Sequence, residues 1–178
     1  YTPMKQYSPG ALVVGAVPGA MPPLMGWTAA TGQLDLAGLT LFAIMFLWQP
    51  AHFWPLSLLI QKDYAAAGFK MLPATHGERA TVRATWRWTL VTVAATFVPL
   101  ATGDAGVVYA VGAVGANVYL LRRMWALVAA DRARGADEST AEPLVAGPDS
   151  PGRLAARNAF LGSMLWLAIV FVALGVDA

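Results

Sequence analysis

Residues 36–60 read LAGLTLFAIMFLWQPAHFWPLSLLI and contain no Asp, Glu, Lys or Arg, and His52 is their one titratable side chain. A helix of this length, at about 1.5 Å per residue, is long enough to cross the roughly 30 Å hydrocarbon core of a bilayer. An uncharged apolar run of this size is typical of a transmembrane helix. The segment therefore predicts a membrane protein, and it raises the question of why an imidazole lies inside it.

The composition of the whole chain agrees with a bilayer environment. Hydrophobic residues make up 57% of the sequence and charged residues 12%, whereas about 25% of residues are charged in a soluble domain. The absence of cysteine excludes disulfides and thiolate metal sites. The pI near 9.2 comes from basic residues in the segments between apolar runs. These are better explained as topology signals than as a nucleic-acid surface, so we expect no nucleic-acid partner.

Further apolar runs divide the chain into five predicted transmembrane helices. The segments are 9–30, 36–60, 86–102, 105–127 and 155–176. We expect them to form one transmembrane domain over residues 1–178, an all-α, polytopic membrane helical bundle in the lipid bilayer. The stretch 128–152 is rich in Gly, Pro, Asp and Glu, a composition typical of a mobile linker. It predicts a cytoplasmic connection without a site.

Charge asymmetry predicts the orientation in the membrane. All 12 Lys and Arg residues are Lys5 or lie in the stretches 61–88 and 122–157, which include the adjoining ends of the predicted spans. The segments on the other side carry Asp35, Asp104 and Asp177 and no basic residue. The positive-inside rule then places the N-terminus of this chain in the cytoplasm and its C-terminus outside.

Proline and glycine distinguish the first span from an ordinary lipid-facing helix. Pro18, Pro22 and Pro23 remove backbone donors and are expected to kink it. Gly15 and Gly19 form a GxxxG pair that allows a neighbouring helix to approach closely. Helix packing explains the glycines, and the prolines leave open whether this span also lines a cavity.

His52 is the first candidate functional residue. It lies on the order of 12 Å inside the hydrocarbon by helical rise, and a polar side chain at that depth usually faces the bundle interior. The alternative is a structural histidine hydrogen-bonded to a neighbouring helix. Gln49 precedes His52 by one turn. In a regular helix Asp63 would share the face of His52, because 11 steps of about 100° return nearly to the start.

Asp63 is the second candidate, at the predicted water–membrane boundary. It is flanked by Lys62 and followed by Lys70. A carboxylate beside two ammonium groups suits a Mg²⁺-bound phosphate, since Mg²⁺ takes oxygen ligands from one or two carboxylates and from substrate phosphates. The alternative is a solvated surface carboxylate. A single aspartate is too few for a complete magnesium–diphosphate site, so this hypothesis requires carboxylates from elsewhere.

Other classes of membrane protein stay open at this point. Permanent haem ligation by two histidines is disfavoured, because His76 lies in a predicted cytoplasmic loop and only His52 is buried; haem as a substrate remains possible. A transporter would also have kinked helices, but the sequence lacks an inverted repeat and further charges within the membrane. A non-catalytic membrane subunit is the third class. Trp54 and Tyr64 fit either a substrate cavity or interfacial anchoring.

Three stretches resemble a known family in order and spacing. They are YTPMKQYSPGALVVGAVPGAMPPLMGWTAATG at 1–32, LFAIMFLWQPAHFWPLS at 41–57 and KDYAAAGFKMLPATHG at 62–77. They resemble the haem-farnesylating branch of the UbiA-type intramembrane prenyltransferases. The resemblance implies a nine-helix transmembrane fold, of which this chain would be the C-terminal five helices. On that expectation the missing N-terminal helices carry the first aspartate motif, and this chain alone is inactive.

The same resemblance implies an activity and roles for individual residues. The activity is transfer of a farnesyl group from farnesyl diphosphate to a vinyl group of haem B, giving haem O, in a prokaryotic plasma membrane. Another UbiA-type prenyltransferase with a quinone-type acceptor is the alternative. Haem A synthase is a candidate partner. By resemblance His52 and Asp63 are catalytic, and Asp63 is also the Mg²⁺ ligand. The implied diphosphate contacts are Lys5, Lys62, Lys70 and Arg79, and the implied cavity residues are Gln49, Trp54 and Tyr64.

Overall fold

Seven α-helices account for most of the computed structural model, which describes Ser8, residues 10–135 and residues 142–177. Those ranges contain no β-strand, and the predicted all-α class is confirmed. In chain order the helices are α1 (Ala11–Thr31), α2 (Leu36–Leu59), α3 (Gln61–Ala66), α4 (Leu72–Ala95), α5 (Val98–Thr102), α6 (Val107–Ala133) and α7 (Pro151–Asp177).

Helix α2, the segment quoted at the outset, lies at the centre of the bundle. It packs against α1, α4 and α7. Helix α6 packs against α4 and α7 and so closes a ring of four helices, α2, α4, α6 and α7, with α1 outside it against α2. The Asp35 carboxylate caps its first turn by accepting a hydrogen bond from the Gly38 amide at 3.0 Å. The core between these helices includes Ile44, Leu120 and Trp166, all fully buried.

The outward faces of the helices remain strongly apolar. Val107 and Val111 of α6 are 78% and 71% exposed, and Val172 and Val176 of α7 are exposed to a similar degree. Within the described residues, α1, α2 and α7 are long and apolar enough to cross a membrane. Helices α4 and α6 carry arginines along the halves that the charge asymmetry places on the cytoplasmic side. That they also span the bilayer stays a prediction.

Two helices extend beyond the apolar runs that predicted them. The third predicted span, 86–102, is divided between the end of α4 and the separate short helix α5. Helix α4 begins at Leu72 and bends at Gly77, whose φ is 83°; this left-handed conformation is readily accessible only to glycine. Helix α6 continues to Ala133, into the predicted linker. Helical hydrogen bonding does not end where a side chain becomes polar, so apolar runs do not predict helix ends.

The second half of the predicted linker is folded against the bundle. Leu144 and Val145 are buried, and the Leu144 amide donates a hydrogen bond of 2.6 Å to the Glu78 carboxylate. The Ser150 hydroxyl then caps α7 by accepting from the Arg153 amide at 3.2 Å. Residues 142–150 therefore cover the end of the bundle that carries Glu78, while the mobility of the predicted linker stays a prediction.

Candidate active site

Asp63 and Lys62 lie on α3, a short helix that changes direction after α2. The break occurs at Ile60, whose backbone angles of φ −117° and ψ 22° are not helical. Because one continuous helix does not join His52 to Asp63, the expected shared face does not apply. The break instead turns Lys62 and Asp63 out of the bundle, where both side chains are exposed.

A cleft of about 370 Å³ lies at this end of α2. Its lining brings Lys62 and Asp63 together with Arg153 from the first turn of α7. Residues 145–148 of the folded segment form the opposite wall. The cleft therefore combines one carboxylate with two cationic side chains from distant parts of the sequence. Arg153 was missed by sequence analysis, since no local motif surrounds it and only the packing of α7 brings it near Asp63.

Two of the basic residues predicted to bind diphosphate do not line this cleft, and a third is not described by the structure. Arg79 faces α6 instead, with its Nε 3.7 Å from Asp131 Oδ2 and its guanidinium donating to the Gly135 carbonyl. Lys70 is exposed in the connection between α3 and α4. Lys5 lies outside the described residues. The roles assigned to these three residues stay predictions.

His52 is half-buried between α2 and α7, with both faces of its ring covered. The Trp48 ring is stacked on one side at a centroid distance of 4.4 Å, and the Phe160 ring on the other at 4.6 Å. Its Nδ1 lies 2.8 Å from the Ser163 hydroxyl oxygen. A flat substrate therefore cannot stack on this imidazole, and the ring edge that carries Nε2 is what remains for a ligand.

The hydrogen bonds of Ser163 assign the tautomer of His52. The Ser163 hydroxyl donates its single hydrogen to the Phe160 carbonyl at 2.7 Å. The Nδ1 of His52 must then be the donor of the pair, which leaves the lone pair on Nε2. The Trp48 indole donates to the Ser163 carbonyl at 2.9 Å and ties the same two helices together. His52 is consequently an oriented acceptor within the bundle.

The three predicted cavity residues make packing contacts. Gln49 Nε2 donates to the Ala16 carbonyl of α1 at 2.9 Å. Trp54 is buried and meets Trp88 edge to face at 5.9 Å, and Tyr64 packs against Phe69 at 5.8 Å. Helix packing accounts for Gln49 and Trp54, and Tyr64 packs on the connection that follows α3. A role for these residues in a substrate cavity stays a prediction.

The donor set for a metal ion is incomplete in the described part of the chain. No group of three or more His, Asp or Glu side chains lies together there. Asp63 is the carboxylate among the residues lining the cleft, and its oxygens are the ligands that Mg²⁺ prefers. The cleft therefore offers Mg²⁺ one carboxylate beside two cationic side chains, and a magnesium site there would require further ligands from outside these residues.

The chain is similar in sequence to several known proteins. The chain is 44% identical over 181 residues to a protoheme IX farnesyltransferase of Anaeromyxobacter sp. (strain Fw109-5), covering 100% of this chain and 53% of the relative. The protoheme IX farnesyltransferase of Granulibacter bethesdensis is 38% identical over 98% of this chain and 51% of its own length. That of Thermus thermophilus is 39% identical over 93% of this chain and 24% of its own length.

The chain spans about half the length of the first two of these relatives. No solved structure matches it. Residues 1–141 match the sequence pattern that defines the UbiA prenyltransferase family, and this segment contains α1 to α6, with His52, Lys62 and Asp63. A helical membrane bundle with a cationic cleft beside an aspartate accords with that match, and the chain belongs to the UbiA prenyltransferase family.

Proposed function

We propose that this chain is part of an enzyme that transfers the farnesyl group of farnesyl diphosphate to a vinyl group of haem B, producing haem O. The observation that carries the proposal is the identity of 38–44% to relatives named protoheme IX farnesyltransferase over 98–100% of the chain. Since the chain spans only half of those relatives, the complete site includes helices outside this sequence. The cleft at α3 supplies one part of it.

The diphosphate is proposed to bind in the cleft between α3 and α7. Lys62 and Arg153 would neutralise its oxygens, and a guanidinium adds paired hydrogen bonds that an ammonium cannot make. Asp63 would hold Mg²⁺ together with diphosphate oxygens and carboxylates from outside this chain, and the ion, when bound, neutralises charge on the leaving diphosphate. These cations act where negative charge develops as the bond to the farnesyl carbon breaks.

The reaction proposed is an electrophilic alkylation. The C1–O bond of farnesyl diphosphate breaks, and diphosphate leaves with the electron pair. The terminal carbon of the haem vinyl group attacks C1, and its π electrons form the new C–C bond. Water then adds to the cationic carbon next to the porphyrin and loses a proton, which gives the hydroxyethylfarnesyl group of haem O. Dry surroundings until that last step prevent hydrolysis of the farnesyl cation.

His52 is proposed to act through its Nε2 edge. The Nδ1 proton is held by Ser163, so Nε2 can accept a proton from the water that adds in the final step. Both faces of the imidazole are covered by Trp48 and Phe160, which restricts any contact with haem to this edge. The packing that orients the ring is therefore compatible with a role in the chemistry.

The setting proposed for this activity is a prokaryotic plasma membrane. By the positive-inside rule the basic cleft then faces the cytoplasm. The water-soluble diphosphate product would be released to that side. The product, haem O, is more apolar than haem B because it gains a farnesyl chain. A membrane enzyme that oxidises haem O, of the haem A synthase type, is the proposed consumer and candidate partner.

Replacing Asp63 tests the proposed metal and diphosphate role. In the full-length enzyme Asp63→Asn is expected to abolish haem O formation, because the neutral amide is a weak ligand for Mg²⁺. Arg153→Gln is expected to raise KM for farnesyl diphosphate more than it lowers kcat, since it removes a binding contact. Haem extracted from membranes and identified by mass spectrometry gives the product directly.

The matched control is Asp104→Asn, which removes an exposed carboxylate from the opposite end of the bundle and should leave turnover unchanged. Normal haem O production by Asp63→Asn would exclude the metal role. Recovery of a prenylated quinone instead of a farnesylated haem from the wild-type enzyme would replace haem by a quinone-type acceptor. Absence of any prenylated product from a folded wild-type enzyme would favour a non-catalytic subunit.

A further inference from the structure

A second cleft, of about 430 Å³, lies between α4 and α6 and is separate from the one at Asp63. Four guanidinium groups line it, and the lining includes a single carboxylate, that of Asp131. The cleft thus has a surplus of three positive charges (four less one). The proposed farnesyl transfer does not use this cleft. Among the residues that line it, Arg79 is the one that the sequence predicted to contact diphosphate.

The carboxylate in this cleft is already neutralised. Asp131 is buried and its Oδ1 accepts from Arg134 Nη2 at 2.5 Å, while its Oδ2 lies 3.7 Å from Arg79 Nε. Arg83 and Arg87, by contrast, are exposed and have no ion-pair partner among the described residues. The net field in the cleft is therefore positive, and Arg83 and Arg87 are available to an anion.

The arginines of α4 form a stripe on the outside of the bundle. Arg79, Arg83 and Arg87 follow one another at four-residue intervals and so lie along one face of the helix, over a rise of about 12 Å. The opposite face of α4 carries Thr81 and Thr85, which are buried in the bundle. The stripe therefore faces the surroundings of the protein and leads from the cytoplasmic end towards the bilayer.

The floor and rim of the same cleft are apolar and aromatic. Val82, Val128 and Trp86 line it. Trp86 meets Trp125 edge to face at 5.5 Å, and the Arg132 guanidinium lies over the Trp125 ring, 4.8 Å from its centroid. Tryptophan is enriched at the level of lipid headgroups. A ligand that fits both parts of the cleft has an anionic group and an apolar tail.

We propose that the cleft between α4 and α6 binds the headgroup of an anionic phospholipid, with its phosphate between Arg83 and Arg87 and its acyl chain against Trp86 and Val128. A free phosphate would use the arginines but not the apolar floor. Basic clefts between helices on the cytoplasmic side are suited to acidic lipids, because the headgroup phosphate and the apolar wall lie at the same depth.

The test measures lipid binding by the full-length protein. Nanodiscs of phosphatidylcholine with increasing phosphatidylglycerol are compared, and bound phosphatidylglycerol is counted by native mass spectrometry. The double variant Arg83→Gln, Arg87→Gln is expected to weaken this binding about 25-fold, since each basic side chain near an anionic surface contributes about fivefold. Equal retention of phosphatidylglycerol by this variant and the wild type would overturn the proposal.

The matched control also removes two positive charges, from arginines on the same predicted side of the membrane but outside the cleft. Arg122→Gln, Arg157→Gln takes two exposed arginines that lie outside the cleft, and it should weaken binding by about twofold at most because their field is screened. An equal loss in both double variants would show attraction by overall charge and overturn the site. Displacement of the lipid by inorganic phosphate alone would identify a free-anion site and likewise overturn it.

The double variant Arg83→Lys, Arg87→Lys gives a second measurement, which is informative even if the glutamine double variant does not fold. It keeps both charges but removes the paired hydrogen bonds of guanidinium to phosphate. Binding of phosphatidylglycerol several-fold weaker than in the wild type is expected. Unchanged binding would contradict the placement of the phosphate between these two side chains.

Discussion

At the scale of single residues, the imidazole in the apolar run is explained by its partners on α7. His52 is held by a hydrogen bond to Ser163 and by two aromatic rings, so its polar atom is satisfied on one edge and its ring is packed like an apolar side chain. Burying an imidazole without such a partner would be costly, because an unsatisfied polar group in a dry interior loses its hydration. The same contacts that stabilise His52 also fix which nitrogen carries the proton.

Ser163→Ala tests this arrangement through the free energy of unfolding in detergent. The change removes the acceptor of His52 Nδ1 and should cost about 1 kcal/mol more than Ser57→Ala. Ser57 is the matched control: it is also fully buried, and its hydroxyl donates to Trp54 of its own helix at 2.7 Å. In a His52→Phe background the excess cost of Ser163→Ala should vanish, and an undiminished cost would argue against the hydrogen bond.

At the scale of elements, the cleft at Asp63 is formed partly by residues 142–150, which pack closely against the start of α7. Gly152 is buried at the start of α7, and a Cβ built there would lie 2.1 Å from the Leu144 carbonyl oxygen. Since that atom belongs to the backbone, it cannot move aside as a flexible side chain would. The glycine therefore allows the segment to pack on α7, and residues 145–148 then form a wall of the cleft.

Gly152→Ala is accordingly expected to detach this segment. The free energy of unfolding should fall by about 1–3 kcal/mol from overpacking, and residues 142–150 should become more susceptible to limited proteolysis. Gly115→Ala is the control, because a Cβ at Gly115 meets nothing within 4 Å. That substitution should be neutral or stabilise α6 by up to about 1 kcal/mol. Equal protease resistance of the two variants would contradict the packing described.

At the scale of the whole molecule, Glu78 joins four parts of the chain at the end of the bundle that is predicted to be cytoplasmic. From α4, its carboxylate accepts hydrogen bonds from Gln61 of α3 at 2.8 Å and from the Leu144 amide at 2.6 Å. It also accepts from Arg134, which follows α6, at 2.8 Å. The Glu78 and Arg134 side chains are each 13% exposed, so solvent screens the pair weakly. Glu78 thereby holds together the elements that carry both clefts.

Glu78→Gln should destabilise the protein by about 2–4 kcal/mol, because the amide has one acceptor oxygen where the carboxylate has two and lacks the negative charge that pairs with Arg134. Chemical denaturation of the purified protein measures this cost. Glu142→Gln changes an exposed carboxylate next to the same assembly and should shift stability by less than about 0.5 kcal/mol. Similar losses in the two variants would show that Glu78 has no such joining role.

The sequence by itself determined the fold class, the membrane environment and the family. These rest on local properties: an apolar run of sufficient length predicts a helix in a bilayer whatever lies beside it, and Lys62 and Asp63 are neighbours in the chain. The sequence also identified His52 and Asp63 as the polar residues that require an explanation, without supplying one.

Only the tertiary structure decided which distant groups meet. Arg153 joins Asp63, Arg79 pairs with Asp131 rather than entering that cleft, Ser163 holds His52, and residues 142–150 fold back on the bundle. Each of these depends on how α7 and α6 pack on α2 and α4, and on the helix break at Ile60. Such contacts depend on how the side chains of several helices fit together and form hydrogen bonds with one another. The residue pattern within one segment does not contain this information.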